Sequence, residues 1–363
     1  MKAVVCHRHR PPSDALAIEE IEKPTVGELD VLVSIRAAAL NRRDLRHLGG
    51  LSRFARLREG PGQREPMILG SDLAGRVEAV GSRVTRFAPG DEVYAWVDTG
   101  AFAEYIALPE HALEPKPSNL TLEQAAAVPF AAQTALQGLL DQARVRPEQK
   151  VLINGASGGV GTFAVQIARA CGAEVTAVCA TKDLYRIRAL GANHAIDYTR
   201  VDFTRQGRRY HVILDIAAQT PVSRCRRVLE PGGTYVLVGH SDASWFGGVR
   251  RSLSLRLNSR LASETLLSFE SEPDSQSLAF LTDMIEHWKV VPVVDRIYTL
   301  DGVPEAIRYL QEGHVRGKVV VNVAGVPEGG PRSPYRLRRA QRPSISRVLA
   351  LSLVASTNSP CSP

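Results

Sequence analysis

The sequence predicts an α/β protein in which a β-rich module precedes a doubly wound parallel sheet. Two patterns support this prediction. Residues 1–123 hold short apolar runs separated by Pro and Gly, as in a module of short strands joined by turns. From residue 124 onward, predicted strands near 151, 174, 195, 211 and 234 alternate with predicted helices near 160, 182, 221 and 274. Such alternation is typical of a parallel sheet with helices on both faces.

Composition and charge exclude several classes of protein. The chain has 363 residues, 44% hydrophobic and 23% charged, which is typical of a folded protein long enough for two domains. Of the formal net charge of +7, five units come from residues 326–363, which hold six Arg and one Glu. The rest of the chain is nearly neutral, so we expect no nucleic-acid partner. No apolar run approaches the ~20 residues of a membrane span, so we expect a cytoplasmic protein without a membrane partner.

Cysteine and histidine are distributed without a metal-site or disulfide pattern. The five cysteines, at positions 6, 171, 179, 225 and 361, show no paired spacing and predict neither a disulfide framework nor a Cys-rich zinc lobe. His7 and His9 form the only close pair of histidines, and their alternation at a strand end indicates surface residues. The segment 325–363 is rich in Pro, Gly, Ser and Arg and is predicted to be a disordered tail.

Residues 154–161 (NGASGGVG) are the most informative segment. The apolar run 150–153 precedes them, and residues 162–171 place apolar side chains at helical spacing. Glycine permits a tight turn and a close approach of the backbone to a phosphate, and the N-terminus of the following helix attracts negative charge. A strand, a glycine-rich turn and a helix in this order predict a dinucleotide site, with an ordinary tight turn as the alternative.

The next predicted strand, 173–180, indicates which dinucleotide fits. Sites for NAD carry an Asp or Glu about 20 residues beyond the glycines, where it holds a ribose hydroxyl. Here Ala180, Thr181 and Lys182 occupy that place, and a hydroxyl beside a cation suits the 2′-phosphate of NADPH. Thr181 is also expected to cap the helix that begins near Lys182. The predicted cofactor is therefore NADPH.

Four further segments follow the β-rich module in a distinctive order: GASGGVG (155–161), LGANHAIDY (190–198), EPGGTYVLVG (230–239) and GHVRGKVVVNV (313–323). Over residues 1–324 the chain resembles the zinc-independent quinone oxidoreductase branch of the medium-chain dehydrogenase/reductase superfamily. The resemblance implies a GroES-like catalytic domain, 1–123 completed by about 266–324, and a Rossmann NADPH-binding domain, 124–265. It also implies a homodimer paired through the edge strand of the second domain.

The resemblance further implies a set of cofactor contacts. They lie in the glycine turn, after the second strand of the nucleotide-binding domain, beside the nicotinamide, and in the closing segment. These residues are Thr134, Ser157, Gly158, Gly159, Val160, Thr181, Lys182, Tyr198, Gly239, His314 and Arg316.

Departures from the zinc-dependent relatives bear on the chemistry. Those relatives carry a Cys where this chain has Asn41 and a His-Glu pair where it has Ser71 and Asp72, and residues 81–111 contain no Cys. We therefore expect no metal. Without a Lewis acid, hydride transfer to an already electron-poor acceptor is favoured, which indicates a quinone or an α,β-unsaturated carbonyl (enone) as the substrate.

Four side chains are expected near the acceptor. Asn41 either donates a hydrogen bond to the acceptor oxygen or makes a local turn bond. Asp44 either lines the cleft or stabilises the adjacent helix start, and Phe102 and Phe130 are expected as apolar walls.

No general acid stands out. Tyr94 and Tyr105 qualify by residue type only, and Tyr105 is expected in the core. Catalysis would then come mainly from proximity and orientation, with the proton supplied by water or a ribose hydroxyl.

Two alternative functions remain open. An enoyl-thioester reductase of a fatty-acid or polyketide pathway would need a basic rim for its acyl carrier, and Arg250, Arg251, Arg256 and Arg260 either supply one or form a solvated helix face. A non-catalytic NADPH-sensing or RNA-binding protein would keep the cofactor site without turnover.

Overall fold

Three β-sheets organise the part of the chain that a computed structural model describes, residues 1–7, 15–48, 66–239 and 263–325. One sheet has six parallel strands, one has three antiparallel strands, and one has seven mostly antiparallel strands. His9, residues 326–363 of the predicted tail, and the four arginines at 250, 251, 256 and 260 lie outside the described residues.

The two antiparallel sheets form a β-rich domain from both ends of the described chain. Its N-terminal elements are β1 (Lys2–Cys6), β2 (Leu16–Glu20), β3 (Asp30–Ala39), α1 (Arg42–Leu48), β4 (Met67–Ile68), β5 (Asp72–Val80), β6 (Glu92–Trp96), β7 (Tyr105–Pro109) and β8 (Glu114–Pro115). The short helix α2 (Leu122–Ala126) follows its N-cap Thr121, whose capping box with Gln124 satisfies free N–H groups.

The parallel sheet forms the second domain. After α3 (Pro129–Leu136) its elements are β9 (Lys150–Asn154), α4 (Gly159–Ala170), β10 (Glu174–Cys179), α5 (Leu184–Ala189), β11 (His194–Asp197), β12 (Tyr210–Asp215), α6 (Val222–Arg226), β13 (Leu229–Val238) and β14 (Thr265–Phe269). The strand order is β11-β10-β9-β12-β13-β14. The chain therefore adds strands on one side of β9 first, and then on the other. This is the doubly wound order of a Rossmann fold and confirms the predicted fold class.

Burial explains why β9 reads as a continuous apolar run. Val151, Leu152 and Ile153 are all fully buried, and alternate side chains enter two different apolar clusters on opposite faces of the sheet. On α4 the predicted apolar face is also buried, with Phe163 and Ile167 inside the core. Strand and helix therefore hold the glycine turn between them in a fixed position.

One strand of the parallel sheet differs from expectation. Residues 245–267 are predicted as a loop and helix, but 265–269 form β14, which pairs in parallel with β13. This strand carries the parallel sheet beyond the predicted domain boundary at residue 265. Its five residues give too short a pattern to distinguish a strand from a helical turn.

The end of the described chain returns to the β-rich domain. After α7 (Ser275–Glu286) come β15 (Val294–Thr299), α8 (Val303–Gln311) and β16 (Lys318–Asn322). All five residues of β16 are buried, and Val320, Val321 and Asn322 pair antiparallel with the last residues of β3. This pairing brings Lys318 next to the loop that follows β3.

Neither candidate tyrosine fits the part of a proton donor. Tyr94 on β6 is fully buried, its hydroxyl lies 2.7 Å from Thr282 Oγ1 on α7, and burial raises its pKa above the ordinary value. Tyr105 is only half-buried, and the Lys23 ammonium lies 3.8 Å from its ring centroid, so the prediction that it is a core residue is wrong. Within the described residues, no helix is both long and apolar enough to cross a membrane.

Replacing Tyr94 by Phe should lower the free energy of unfolding by about 1 kcal/mol, because a buried hydrogen bond between β6 and α7 is lost. The activity that the resemblance implies should persist, since this hydroxyl is taken up by a hydrogen bond inside the protein. Urea denaturation and steady-state rates test both statements, with Tyr105→Phe as the control. A loss of activity at unchanged stability would restore Tyr94 as a candidate acid.

Candidate cofactor and acceptor site

The glycine turn has the geometry that the sequence predicts. Gly155 adopts a left-handed φ of +89°, and a Cβ on Gly161 would lie 2.2 Å from the carbonyl oxygen of Gly155, so neither position tolerates a side chain easily. Around Gly158, by contrast, a Cβ would meet nothing closer than 3.8 Å. The backbone there is open to a phosphate at the N-terminus of α4, with Ser157 and Val160 half-buried beside it.

Three of the predicted cofactor residues converge on one cavity. Lys182, His314 and Arg316 line a space of about 420 Å³ beyond the end of β10. Arg316 is fixed there because its Nε donates to Asp183 Oδ1 at 2.7 Å and its Nη2 donates to the carbonyl of Lys182. The closing segment is thereby held against the second strand of the parallel sheet. Tyr198, 59% exposed, follows the end of β11.

Thr181 has a different role from the predicted helix cap. It begins a short 3₁₀ turn without capping it, and its hydroxyl donates to Asp197, which also accepts from the Thr199 hydroxyl at 2.7 Å. Hydrogen bonds from the Thr181 and Thr199 hydroxyls hold the pKa of Asp197 below its ordinary value. The end of β10 itself carries no carboxylate, as predicted, but the adjacent strand β11 brings one beside it.

Two predicted nicotinamide-side residues lie at the ends of other elements. Thr134 on α3 is buried, and its Oγ1 lies 2.7 Å from both the Phe130 carbonyl and the Ser271 hydroxyl. Gly239 follows β13 with a left-handed φ of +67°, and a Cβ added there would meet no atom of the described residues within 4 Å.

A buried ion pair lies between the two domains. Lys318 Nζ donates to Asp72 Oδ2 at 2.8 Å and to Asn41 Oδ1 at 2.5 Å, and both charged side chains are at most 3% exposed. Asn41 Nδ2 in turn donates to Asp72 Oδ2 and to Ser71 Oγ. Both amide hydrogens of Asn41 are thus engaged within the protein. Its role as a donor to the acceptor oxygen stays a prediction, and it would require one of these two hydrogen bonds to break.

The cluster continues to the glycine turn and to α3. A Cβ on Gly159 would lie 3.0 Å from Lys318 Cδ, so the lysine stem packs against the turn. Asp72 Oδ1 accepts from the backbone N–H of Phe130 at 2.7 Å. Lys318 belongs to the closing motif of the sequence, but no role was predicted for it. The signal was a cation at the start of an otherwise apolar strand.

Asp44 is a second buried carboxyl group in this region. It is 1% exposed and accepts from the backbone N–H of Asn41 at 2.7 Å, which fits the predicted helix-start role. Burial, together with the neighbouring Asp72, raises its pKa from an ordinary 3.8 to about 7, against the lowering effect of the Asn41 hydrogen bond. Near neutral pH the Asp44 carboxyl group is therefore partly protonated in the folded protein.

The residues present are poor ligands for a metal. The described ranges hold no grouping of three or more His, Cys, Asp or Glu side chains suited to a metal ion. Where the zinc-dependent relatives are expected to carry their ligands, Asn41 and Asp72 instead contact an ammonium, which repels a divalent cation, and Ser71 accepts a hydrogen bond from Asn41. The prediction that the protein acts without zinc remains a prediction.

The two predicted apolar walls have different positions. Phe130 is half-buried and meets Trp96 edge to face, with ring centroids 4.8 Å apart. Phe102 is fully buried, with its ring against Gly70. The structure therefore places it in the core of the β-rich domain and not on the cleft. Packing of the β-sheets, which the local pattern does not reveal, accounts for this difference.

A larger cavity, of about 770 Å³, lies between α1 and residues 270–273. Its volume suits a small organic molecule. The lining includes Ser271, which links the cavity to Thr134, and six charged or titratable side chains: Arg43, Arg46, His47, Asp98, Glu270 and Glu272. None of these residues was predicted from the sequence. The basic spacing of RRDLRH on α1 was the available signal.

Comparison with known proteins places these features in a family. Family models for an alcohol dehydrogenase GroES-like domain and for a zinc-binding dehydrogenase match residues 27–118 and 190–321. The chain is 31% identical over 335 residues to the bovine (Bos taurus) mitochondrial NAD(P)H oxidoreductase RTN4IP1, covering 81% of this chain and 82% of the relative. The chain belongs to the medium-chain dehydrogenase/reductase superfamily. Its relatives are quinone oxidoreductase-like members of that superfamily.

Two further members support this assignment. The 2-methylene-furan-3-one reductase of Solanum lycopersicum is 32% identical over 323 residues, covering 85% of this chain and 76% of the relative. The quinone oxidoreductase of Coxiella burnetii superposes with a TM-score of 0.77 at 27% identity, covering 89% of this chain and 99% of that one. The protein is an oxidoreductase of a family that uses NAD(P)H.

Substitutions in the glycine turn should separate folding from binding. Gly161→Ala should lower the free energy of unfolding by more than about 2 kcal/mol, because its Cβ collides with backbone. Gly158→Ala should change it by less than about 1 kcal/mol yet weaken nucleotide binding, because the methyl group blocks the approach of phosphate. Thermal melts and nucleotide titrations check both; equal effects on stability would contradict the assigned geometry.

The stability of the protein should fall as pH rises from about 4 to above 7 through Asp44. The folded state holds a proton on this carboxyl group, with its pKa of about 7, after the unfolded state has lost it near 3.8. Asp44→Asn, which mimics the neutral group, should flatten this part of the curve. Melting temperatures at pH 5 and 8 measure the difference; parallel curves would show that Asp44 does not titrate here.

Proposed function

We propose that this protein is an NADPH-dependent reductase that transfers a hydride to a quinone or an α,β-unsaturated carbonyl compound. The observation that carries the proposal is the convergence of Lys182, His314 and Arg316 on one cavity beyond the glycine turn. When bound, the cofactor supplies a hydride. Lys182, His314 and Arg316 would hold the adenosine end of the cofactor, and a hydride together with a proton from solvent would convert an enone to the saturated ketone or a quinone to the hydroquinone.

The charges at the adenosine end support NADPH over NADH. The Lys182 ammonium is exposed and has no hydrogen-bond or ion-pair partner within the described ranges, so it is available to a 2′-phosphate. Arg316 is already paired with Asp183, and His314 is exposed beside it. The Asp197 carboxylate would repel a 2′-phosphate and so favour NADH, but its two oxygens already accept hydrogen bonds from two threonine hydroxyls. Lys182 is therefore the residue on which cofactor preference depends.

The acceptor end supports an electron-poor substrate. An alcohol needs its oxygen polarised strongly before hydride leaves carbon, and the Asn41–Ser71–Asp72 group with its own ammonium is unsuited to hold a Lewis acid. Quinones and enones need no such activation. The names of the tomato and Coxiella relatives, a 2-methylene-furan-3-one reductase and a quinone oxidoreductase, agree with this class of acceptor.

Oxidation of NADPH and NADH, followed by nicotinamide absorbance with a small quinone and a 2-enal as acceptors, tests the proposal. We expect turnover with NADPH that a chelator leaves unchanged. Lys182→Met should reduce the preference for NADPH about tenfold, equivalent to about 1.4 kcal/mol. Lys150→Met, at an exposed lysine at the start of β9, is the matched control.

Three outcomes would contradict parts of this assignment. Inhibition by the chelator would overturn the metal-free reaction, and equal use of NADH by the native protein would overturn the cofactor preference. Binding of NADPH without turnover on either acceptor would favour the nucleotide-sensing alternative. No described residue favours the enoyl-thioester alternative, whose predicted arginine rim lies outside the described ranges.

We also propose a homodimer through β14. In the described part of the chain β14 is the edge of the parallel sheet, and an edge strand offers unpaired N–H and C=O groups to a second copy. Sedimentation equilibrium should give twice the mass of the chain; a monomer would overturn the proposal.

A further inference from the structure

We propose that the acceptor carries a carboxylate group and that Arg43 binds this group. The proposal rests on the proposed function, because it names the substrate class of the same reductase site. Arg43 would determine specificity by holding a part of the acceptor that does not react. The acceptor would then be an enone or quinone with an acidic substituent, and the carboxylate would leave the reaction unchanged.

The position of Arg43 is the first observation. It lies on α1, two residues after Asn41, and lines the 770 Å³ cavity that also reaches Ser271, the hydrogen-bond partner of Thr134. The cavity therefore runs from the predicted nicotinamide side to the guanidinium group of Arg43. Its side chain is 20% exposed, which leaves it fixed by packing yet open to a ligand.

The hydrogen-bonding state of Arg43 is the second observation. Nη2 donates to Asp98 Oδ1 at 2.5 Å, whereas Nε is buried and has no partner in the described residues. A guanidinium group presents Nε–H and Nη2–H as a parallel pair that matches the two oxygens of a carboxylate. Asp98 occupies only one of these two donors. A buried donor without a partner is unfavourable, so a bidentate ligand would remove that cost.

The exposure of Asp98 makes an exchange of partners feasible. Its side chain is 77% exposed, and an ion pair so open to water contributes only about 0–1 kcal/mol. A substrate carboxylate would displace Asp98 to solvent at little cost and then engage both Nε and Nη2. The internal pair thus holds the guanidinium in place until a better ligand arrives.

A second donor without a partner lies close by. Trp96, two residues before Asp98, is 3% exposed, and its indole Nε1 has no hydrogen-bond partner among the described residues. Its ring packs against Phe130, the predicted apolar wall. A buried donor without a partner, next to an apolar ring, suits a ligand that brings an oxygen acceptor on a carbon framework.

The other charged groups of the cavity do not offer the same capacity. Arg46 Nη1 donates to Glu270 at 2.8 Å across the cleft, and both side chains are about half exposed. Glu270 and Glu272 disfavour an anion at the outer end of the cavity. Of the two arginines that line the cavity, Arg43 is the one with a buried donor that has no partner in the described residues, which predicts a single carboxylate and not a polyanionic carrier.

A matched pair of acceptors tests the proposal. The substrates are trans-4-oxopent-2-enoate and its methyl ester, which is intrinsically the more electrophilic of the two. We expect the native protein to prefer the acid in kcat/KM. Arg43→Gln should reduce the acid-to-ester ratio about 30-fold, in line with the loss of a charged hydrogen-bond pair. Arg43→Lys, which keeps the charge without the paired donors, should retain part of the preference.

Asp98→Asn gives a test with the opposite sign. Because it weakens an internal competitor at an exposed position, it should lower KM for the acid about threefold or more without lowering KM for the ester. Arg76→Gln, which breaks the exposed pair of Arg76 with Glu92, is the matched control and should alter neither substrate. Melting temperatures verify that every variant is folded.

Binding of the product 4-oxopentanoate by calorimetry, with oxidised cofactor present, gives a readout that needs no turnover. The native protein should bind it, Arg43→Gln should not, and Asp98→Asn should bind it more tightly. Equal treatment of acid and ester by the native protein, or unchanged binding in Arg43→Gln, would overturn the proposal while leaving the reductase intact. If neither acceptor nor a small quinone is reduced, the proposed function fails, and the calorimetry still decides whether Arg43 binds a carboxylate.

Discussion

The buried pair of Lys318 and Asp72 connects the glycine turn, Asn41 and the start of α3. Two charges removed from water are tolerated only when they are paired and hydrogen-bonded, and loss of one partner from such a pair costs about 3–5 kcal/mol. Asp72 uses one oxygen for the ammonium and the other for the N–H of Phe130, and Lys318 also reaches Asn41. The lysine stem lies against Gly159. The cofactor turn and the acceptor wall are therefore held by the same two charges.

The sequence predicted the features that depend only on residues adjacent to one another in the chain. The glycine turn was found because strand, turn and helix follow each other directly, and β16 because its apolar run is continuous. Contacts across the sheets could not be found in this way. Thr181 meets Asp197 because β10 and β11 are neighbours, and Lys318 meets Asp72 across 246 positions of the chain. Phe102 had a suitable residue type, but sheet packing placed it in the core.

The two ends of the site differ in how their charges are arranged. At the proposed adenosine end Arg316 is paired with Asp183, and Lys182 is exposed to water. At the proposed acceptor end the guanidinium of Arg43 has one exposed partner and one buried donor without a partner in the described residues. A site built only for neutral, apolar quinones would not need these polar groups. The sequence predicted Asn41, Asp44 and two apolar walls near the acceptor, but not the charged side chains that line this cavity.

The return of β16 to the β-rich domain also bears on how the protein is made. Lys318 bonds to Asn41 over 277 positions, so nearly the whole described chain must leave the ribosome before residues 37–39 of β3 pair with β16. During synthesis the parallel-sheet domain can form from a contiguous stretch, whereas the end of β3 and the Asp72 carboxylate wait for a late segment. Such long-range closure slows folding and leaves an open strand edge in the nascent chain. Lys318, whose ammonium completes the buried ion pair, is thus among the last residues of the described chain to be synthesised.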